Sequence, residues 1–313
     1  MDLKIVIATI FALCISFSIL FIISYSFPDP IKNSEKEFYN QDFAENKVFI
    51  LGSSHVRQLN ATSINDYVRN YDLNHTIYNL ATSGDTPLER IRTLQDISIL
   101  KPDLVVYGIS YRDFDVKSTE NELLPSPKKN FYIFLDEFFE EPINPKHSTF
   151  RIILEILDKM NLTHKPDIIT VKNTPFIEFN FEHTRIVDLE TLKLQAKSDD
   201  PGLITSQKFS IENKQVKALI NILDEFQKNG IKMVIVTSPL HKTFLDTLTN
   251  SQKESFDNIL DELAKKYNIE IYRLDEKYSE LEIWYNFHHI ALNKKSSIFY
   301  DDFAKIIIAE LNK

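Results

Sequence analysis

Val48-Phe49-Ile50-Leu51-Gly52-Ser53-Ser54-His55 is the stretch on which the fold turns. Four apolar residues, mostly of the types that favour strands, run into a glycine and two serines. That pattern predicts a buried strand of a parallel sheet ending in a tight turn. A helical pattern, Val56-Arg57-Gln58-Leu59, follows at once and continues to about Arg69. A serine at such a junction sits at the carboxyl end of a strand and the amino end of a helix. Open α/β sheets bind ligands there, and free backbone N–H groups can hold negative charge. Ser54 is therefore a candidate nucleophile; the plainer role for Ser53 and Ser54 is to cap the helix.

The same strand–turn–helix signature recurs outward from this point. A second strand is expected over His75–Leu80, ending at Ala81-Thr82-Ser83-Gly84-Asp85. Pro87 opens a helix whose apolar stripe is Leu88, Ile91, Leu94, Ile97 and Leu100. Asp103–Gly108 is a third strand, again ending in glycine. A helix over Ile211–Lys228 closes at Gly230 and precedes a fourth strand, Ile231–Thr237. A helix over about Gln252–Tyr267 precedes a fifth strand, Ile269–Tyr272, and a final helix runs from about Ser297 to Leu311. Strands alternating with helices predict an α/β fold with a mostly parallel five-stranded sheet. The region from about 114 to 210 breaks the pattern with Pro125, Pro127, Pro142 and Pro145, and reads as an insertion or as packing around the sheet.

From Ile5 to Phe27 the chain carries no charge, which is about the ~20 residues a membrane-crossing helix needs. No small-residue cleavage site follows, so a retained anchor over 1–27 is expected, then a linker over 28–46 and a domain over 47–313. Asn60, Asn74 and Asn161 begin Asn-x-Ser/Thr triplets, which suits an extracytoplasmic domain on a single-pass protein. The net charge of −9 argues against a nucleic-acid partner. The single cysteine, Cys14, lies in the apolar segment, so the rest of the chain has neither a disulfide nor a cysteine metal site. No dinucleotide, phosphate-loop or His-Glu-x-x-His pattern is present, and no cofactor or metal is expected.

Glycines follow the first three strands, and Asn286-Phe287-His288-His289 lies shortly before the last helix. In these blocks the chain resembles the SGNH, or GDSL-like, hydrolase superfamily over about 47–112 and 231–313. Gly52-Ser53-Ser54 is similar to the family's Gly-Asp-Ser block, and also to membrane-anchored D-alanyl transfer proteins of cell-wall assembly. The resemblance implies a flavodoxin-like three-layer fold and a nucleophile at Ser54. Its oxyanion hole would comprise Ser54 and Gly84, with Ser110 at the third position. His289 has the spacing of the family's Asp-x-x-His and would be the base, with His288 as the alternative. Two positions depart from the family: Ser110 stands for asparagine and Asn286 for the orienting aspartate. Loss of a good oxyanion donor costs on the order of 10² to 10³ in turnover. A neutral amide gives an imidazolium no charge and can favour the wrong tautomer. Asp113, Asp301 or a backbone carbonyl could take over the orienting role.

The expected function is a membrane-anchored esterase or O-acyltransferase acting on acyl esters of envelope carbohydrate. The alternative is a catalytically degenerate domain that binds glycan or scaffolds a membrane-protein partner. His55, His241 and His288 are candidate walls of the site; a metal held by His55, His241 and His289 is a third reading. Trp284 and Tyr285 are either sugar-stacking rings or core.

Overall fold

The computed structural model describes residues 38–41, 43, 46–82, 84–114, 171–172, 178–179, 184–198 and 212–313. All of them belong to one compact unit made of 34–117 and 169–313. The expected span Ile5–Phe27 and most of the 114–210 insertion lie outside the described residues. Among the described residues no helix is long and apolar enough to cross a membrane. The end of the expected linker is part of the core: Phe38 and Tyr39 are buried, and Phe38 and Phe43 set ring edges against Tyr78. Aromatic residues inside a polar stretch pull it onto the sheet.

Five strands form one parallel sheet: β1 Lys47–Gly52, β2 Thr76–Asn79, β3 Leu104–Ile109, β4 Lys232–Thr237 and β5 Ile271–Tyr272. Their spatial order is β2-β1-β3-β4-β5. This is the flavodoxin-like order, whose switch point lies between β1 and β3. Every residue of β1 and β3 is buried, as expected for central strands covered on both faces.

The helices are α1 Ser54–Arg57, α2 Ala61–Arg69, α3 Pro87–Arg90, α4 Leu94–Leu100, α5 Leu189–Ser198, α6 Lys214–Lys228, α7 Lys242–Leu245, α8 Asn250–Tyr267 and α9 Ser297–Leu311. α2 packs with α9, and α6 packs with α3 and α4. Tyr267 of α8 donates to Asp224 of α6 at 2.7 Å. Two expected helices are broken. The one over 57–69 divides because Asn60 caps α2 through Ser63 N–H, while the Asn79 side chain takes the carbonyls of Val56, Arg57 and Leu59. The one after Pro87 passes through a 3₁₀ turn at Ile91–Thr93. Its apolar spacing of three is the period of a 3₁₀ turn rather than of an α-helix.

Two short antiparallel pairs accompany the sheet: Val171–Lys172 with Glu178–Phe179, and β6 Trp284–Asn286 with β7 His289–Ile290. Most of the region read as an insertion lies outside the described residues, but 184–198 does not. Leu192 and Ala196 of α5 are buried in the core, and Val187 N–H donates to Trp284 carbonyl at 2.9 Å.

Candidate active site

The site begins with two glycines. Gly52 and Gly108 are register partners at the carboxyl ends of β1 and β3. A Cβ on Gly52 would lie 2.4 Å from Gly108 carbonyl oxygen, and Gly52 has φ +133°. A Cβ on Gly108 would lie 2.2 Å from Val56 Cγ1. Bare backbone at both positions lets α1 leave β1 directly against β3, so Ser54 stands in the crevice at the switch point.

The β6–β7 pair delivers the other half. Asn286 and His289 are register partners across the intervening Phe287 and His288. Ser54 Oγ lies 2.8 Å from His289 Nε2, across 235 residues of sequence. His289 Nδ1 lies 3.1 Å from Asn286 Oδ1, and His288 N–H donates to the same oxygen at 3.1 Å. A backbone N–H can only donate, so the amide oxygen is fixed by it, and His289 Nδ1 must carry a proton to meet that oxygen. Nε2 is then the acceptor for the Ser54 hydroxyl. The wrong-tautomer expectation for Asn286 is corrected: the His288 amide holds the side chain in the orientation that gives the tautomer a base needs.

Neither of the substitute acids orients His289. Asp301 sits on α9, where it acts on Tyr67 and Lys305. Asp113 accepts from Ser110 N–H at 2.6 Å and from the hydroxyls of Ser53 and Ser110. Burial pushes Asp113 up to about 6, against those bonds. While ionised, the carboxylate takes both hydroxyl protons. The two serine oxygens then accept from His55 Nδ1, at 2.9 Å for Ser53 and 3.4 Å for Ser110. His55 Nε2 is buried with no hydrogen-bond partner among the described residues. Burial, with Arg112 nearby, holds His55 down at about 3.

His55 is also a wall: its ring lies 5.0 Å from that of His289 and 5.5 Å from that of His288. His288 Nδ1 accepts from Arg112 Nη1 at 2.8 Å, which occupies it away from Ser54. Burial, the neighbouring histidines, Arg57 and Arg112 hold His289 well below the ordinary range, so it is a neutral imidazole at neutral pH. His241 stands apart from these rings; its Nδ1 caps α7 through Thr243 N–H and its ring meets the edge of Trp284. Among the described residues no three His, Cys, Asp or Glu side chains are grouped to hold a metal. Trp284 is fully buried and donates to Tyr278 carbonyl at 3.3 Å, so it is core and not a sugar platform.

Gly84 lies in an exposed turn with φ +70°. That turn is braced from beneath by a buried ion pair between Arg90 and Asp85, with Arg90 also donating to Leu80 carbonyl at 3.0 Å. Sequence reasoning gave no role to Arg57, Asn79, Asp85, Arg90 or Arg112. Arg57 had a signal, since a residue three on from Ser54 shares its helix face. For the others only the fold reveals the convergence.

No family model and no curated protein matches the chain. Among solved structures it is similar to an acetyl xylan esterase, AlAXEase, at 11% identity and a TM-score of 0.42, covering 84% of this chain and 98% of that one. It is also similar to TesA, at 10% identity and a TM-score of 0.43, covering 82% and 94%. Both likenesses are distant.

Proposed function

We propose that the chain is an SGNH-like serine esterase or O-acyltransferase acting through Ser54 and His289. The observation that carries this reading is the continuous line Ser54 Oγ, His289 Nε2, His289 Nδ1, Asn286 Oδ1, with its tautomer fixed by the His288 amide. Ser54 attacks an ester carbonyl as Nε2 takes its proton. The carbonyl oxygen becomes an oxyanion facing the amides of Ser54 and Gly84; Ser110, the third position of the resemblance, has its N–H and its hydroxyl proton taken by Asp113 and is not counted as a donor. The proton then passes to the departing alcohol, leaving an acyl group on Ser54. Water resolves it in a hydrolase, and a sugar hydroxyl resolves it in a transferase.

The charge-free stretch Ile5–Phe27 supports a single-span anchor with this domain outside the cytoplasm, and so an acyl ester of envelope carbohydrate as substrate. A second reading, a catalytically silent glycan-binding or scaffolding domain, is favoured by Asn286 where an orienting carboxylate is expected.

A fluorophosphonate probe on the full-length chain separates the two. Labelling of the wild type that is lost in Ser54→Ala and in His289→Ala is the expected result. A folded wild-type protein that takes up no probe decides for the silent domain.

A further inference from the structure

In the proposed reaction two amides face the oxyanion, and the Gly84 amide sits on a turn. A turn holds a donor in place only if both its ends are fixed. Its start is laced to β1: Leu80 N–H donates to Ile50 carbonyl at 2.8 Å, and Thr82 N–H donates to Gly52 carbonyl at 3.2 Å, just ahead of Ser54. Its end is closed by Thr86 N–H, which donates to Gly84 carbonyl at 2.9 Å. Among the described residues the N–H groups of Ser54 and Gly84 meet no acceptor.

Beneath the turn lies the fully buried guanidinium of Arg90. Arg90 Nε donates to Asp85 Oδ2 at 3.0 Å; Nη2 donates to that same oxygen and to Leu80 carbonyl, the latter at 3.0 Å. One planar group thus joins the residues on either side of the turn. Its third nitrogen, Nη1, donates to Thr93 Oγ1 at 3.1 Å and to Tyr39 Oη at 3.2 Å. Tyr39 belongs to the stretch ahead of β1 and is buried with Phe38, whose ring meets that of Tyr78. A buried ion pair is a weak source of stability, since apolar residues of the same volume often do as well. What a five-donor fork supplies is fixed geometry. Displacement of a group by about 1 Å at a reacting centre can cost about 10²-fold. Resting on the esterase reading, we infer that Arg90 is the positioning residue of the oxyanion hole: it sets the Gly84 amide by clamping Leu80 and Asp85, and Tyr39 completes the clamp from the segment ahead of β1. The chain leading from the expected anchor into the domain thereby contributes to turnover.

4-Nitrophenyl butyrate and its thiono analogue, in which sulfur replaces the carbonyl oxygen, test this on the full-length chain. A sulfur anion is a poor hydrogen-bond acceptor. A well-placed oxyanion hole therefore favours the oxygen ester, and a displaced one loses that preference. Arg90→Lys keeps the charge but not the fork, and should lower kcat on the oxygen ester by about 10²-fold with KM unmoved. Tyr39→Phe removes one hydroxyl and should lower kcat by about 2- to 10-fold, the range of a single hydrogen bond. In both variants the preference for the oxygen ester should fall in step with kcat, whereas a general structural fault slows the two esters alike. If Arg90→Lys does not fold, Tyr39→Phe decides alone, with its thermal melt as the control. Ser54-dependent turnover that the folded variants leave unchanged, or that falls equally for the two esters, overturns this inference and leaves the esterase reading standing. No turnover above the Ser54→Ala background overturns both.

Discussion

At the scale of single residues, the proposed esterase makes Asn286 the residue that sets how good a base His289 is. Its oxygen fixes the His289 tautomer but brings no charge. In serine–histidine–aspartate sites, changing the acid to asparagine costs about 10⁴, in large part because the tautomer inverts. That part is already solved here by the His288 N–H. Asn286→Asp should then raise kcat by only about 10- to 100-fold, through stabilisation of the imidazolium alone. The carboxylate also lifts His289 from its low range, so the acid limb of the kcat profile should move to higher pH. The rate–pH profile, read beside the His289 ring signals by NMR, checks both effects. A fall in kcat with the profile unmoved would mean that the acid position is occupied for packing and not for proton transfer.

At the scale of elements, the approach of α1 to β3 positions Ser54, the proposed nucleophile. Gly108→Ala should drive a methyl group into Val56, whose Cγ1 would be 2.2 Å away. Overpacking of this kind costs about 1–3 kcal/mol, and here it displaces the helix that begins with Ser54. Adding Val56→Ala reopens the space. The double variant should therefore recover probe labelling that Gly108→Ala alone loses, and a denaturation cycle should show strong coupling between the two positions. The elements themselves were largely legible. Apolar runs ending in glycine located β1 and β3, and the last helix falls on Ser297–Leu311 as its pattern indicated. The β6–β7 pair was not legible, because strands of three and two residues carry no periodicity. Nor was the break at Gln58–Asn60, which depends on Asn79 arriving from the next strand. Ser54, His289 and Asn286 were singled out by the resemblance of their blocks, and the fold brings their side chains within hydrogen-bond reach of one another. The Asp113–Ser53–His55 network was not singled out, since nothing local makes a buried carboxylate turn toward two serines.

At the scale of the whole molecule, the site makes stability depend on acid. Burial lowers His55 to about 3 and holds His288 and His289 well below their ordinary values. Each is neutral in the folded chain and takes up a proton on unfolding below about 6.5. Their contribution is present above that pH and is lost as pH falls. His241, also lowered by burial, acts in the same direction. Asp113 acts in the opposite direction: raised to about 6, it favours the folded chain below the ordinary carboxylate range and loses that effect as pH rises through about 6. Near pH 5 the histidines gain protons on unfolding while Asp113 releases one, so the balance is a net uptake and stability falls toward acid. Urea titrations between pH 7 and pH 5 should show this decline. His55→Asn should flatten it by about one proton, while Asp113→Asn should steepen it, because the opposing release is gone. A profile that stays level over this range would show that the imidazoles are solvated and titrate normally, and with that the sheltered neutral base on which the esterase reading depends would be lost.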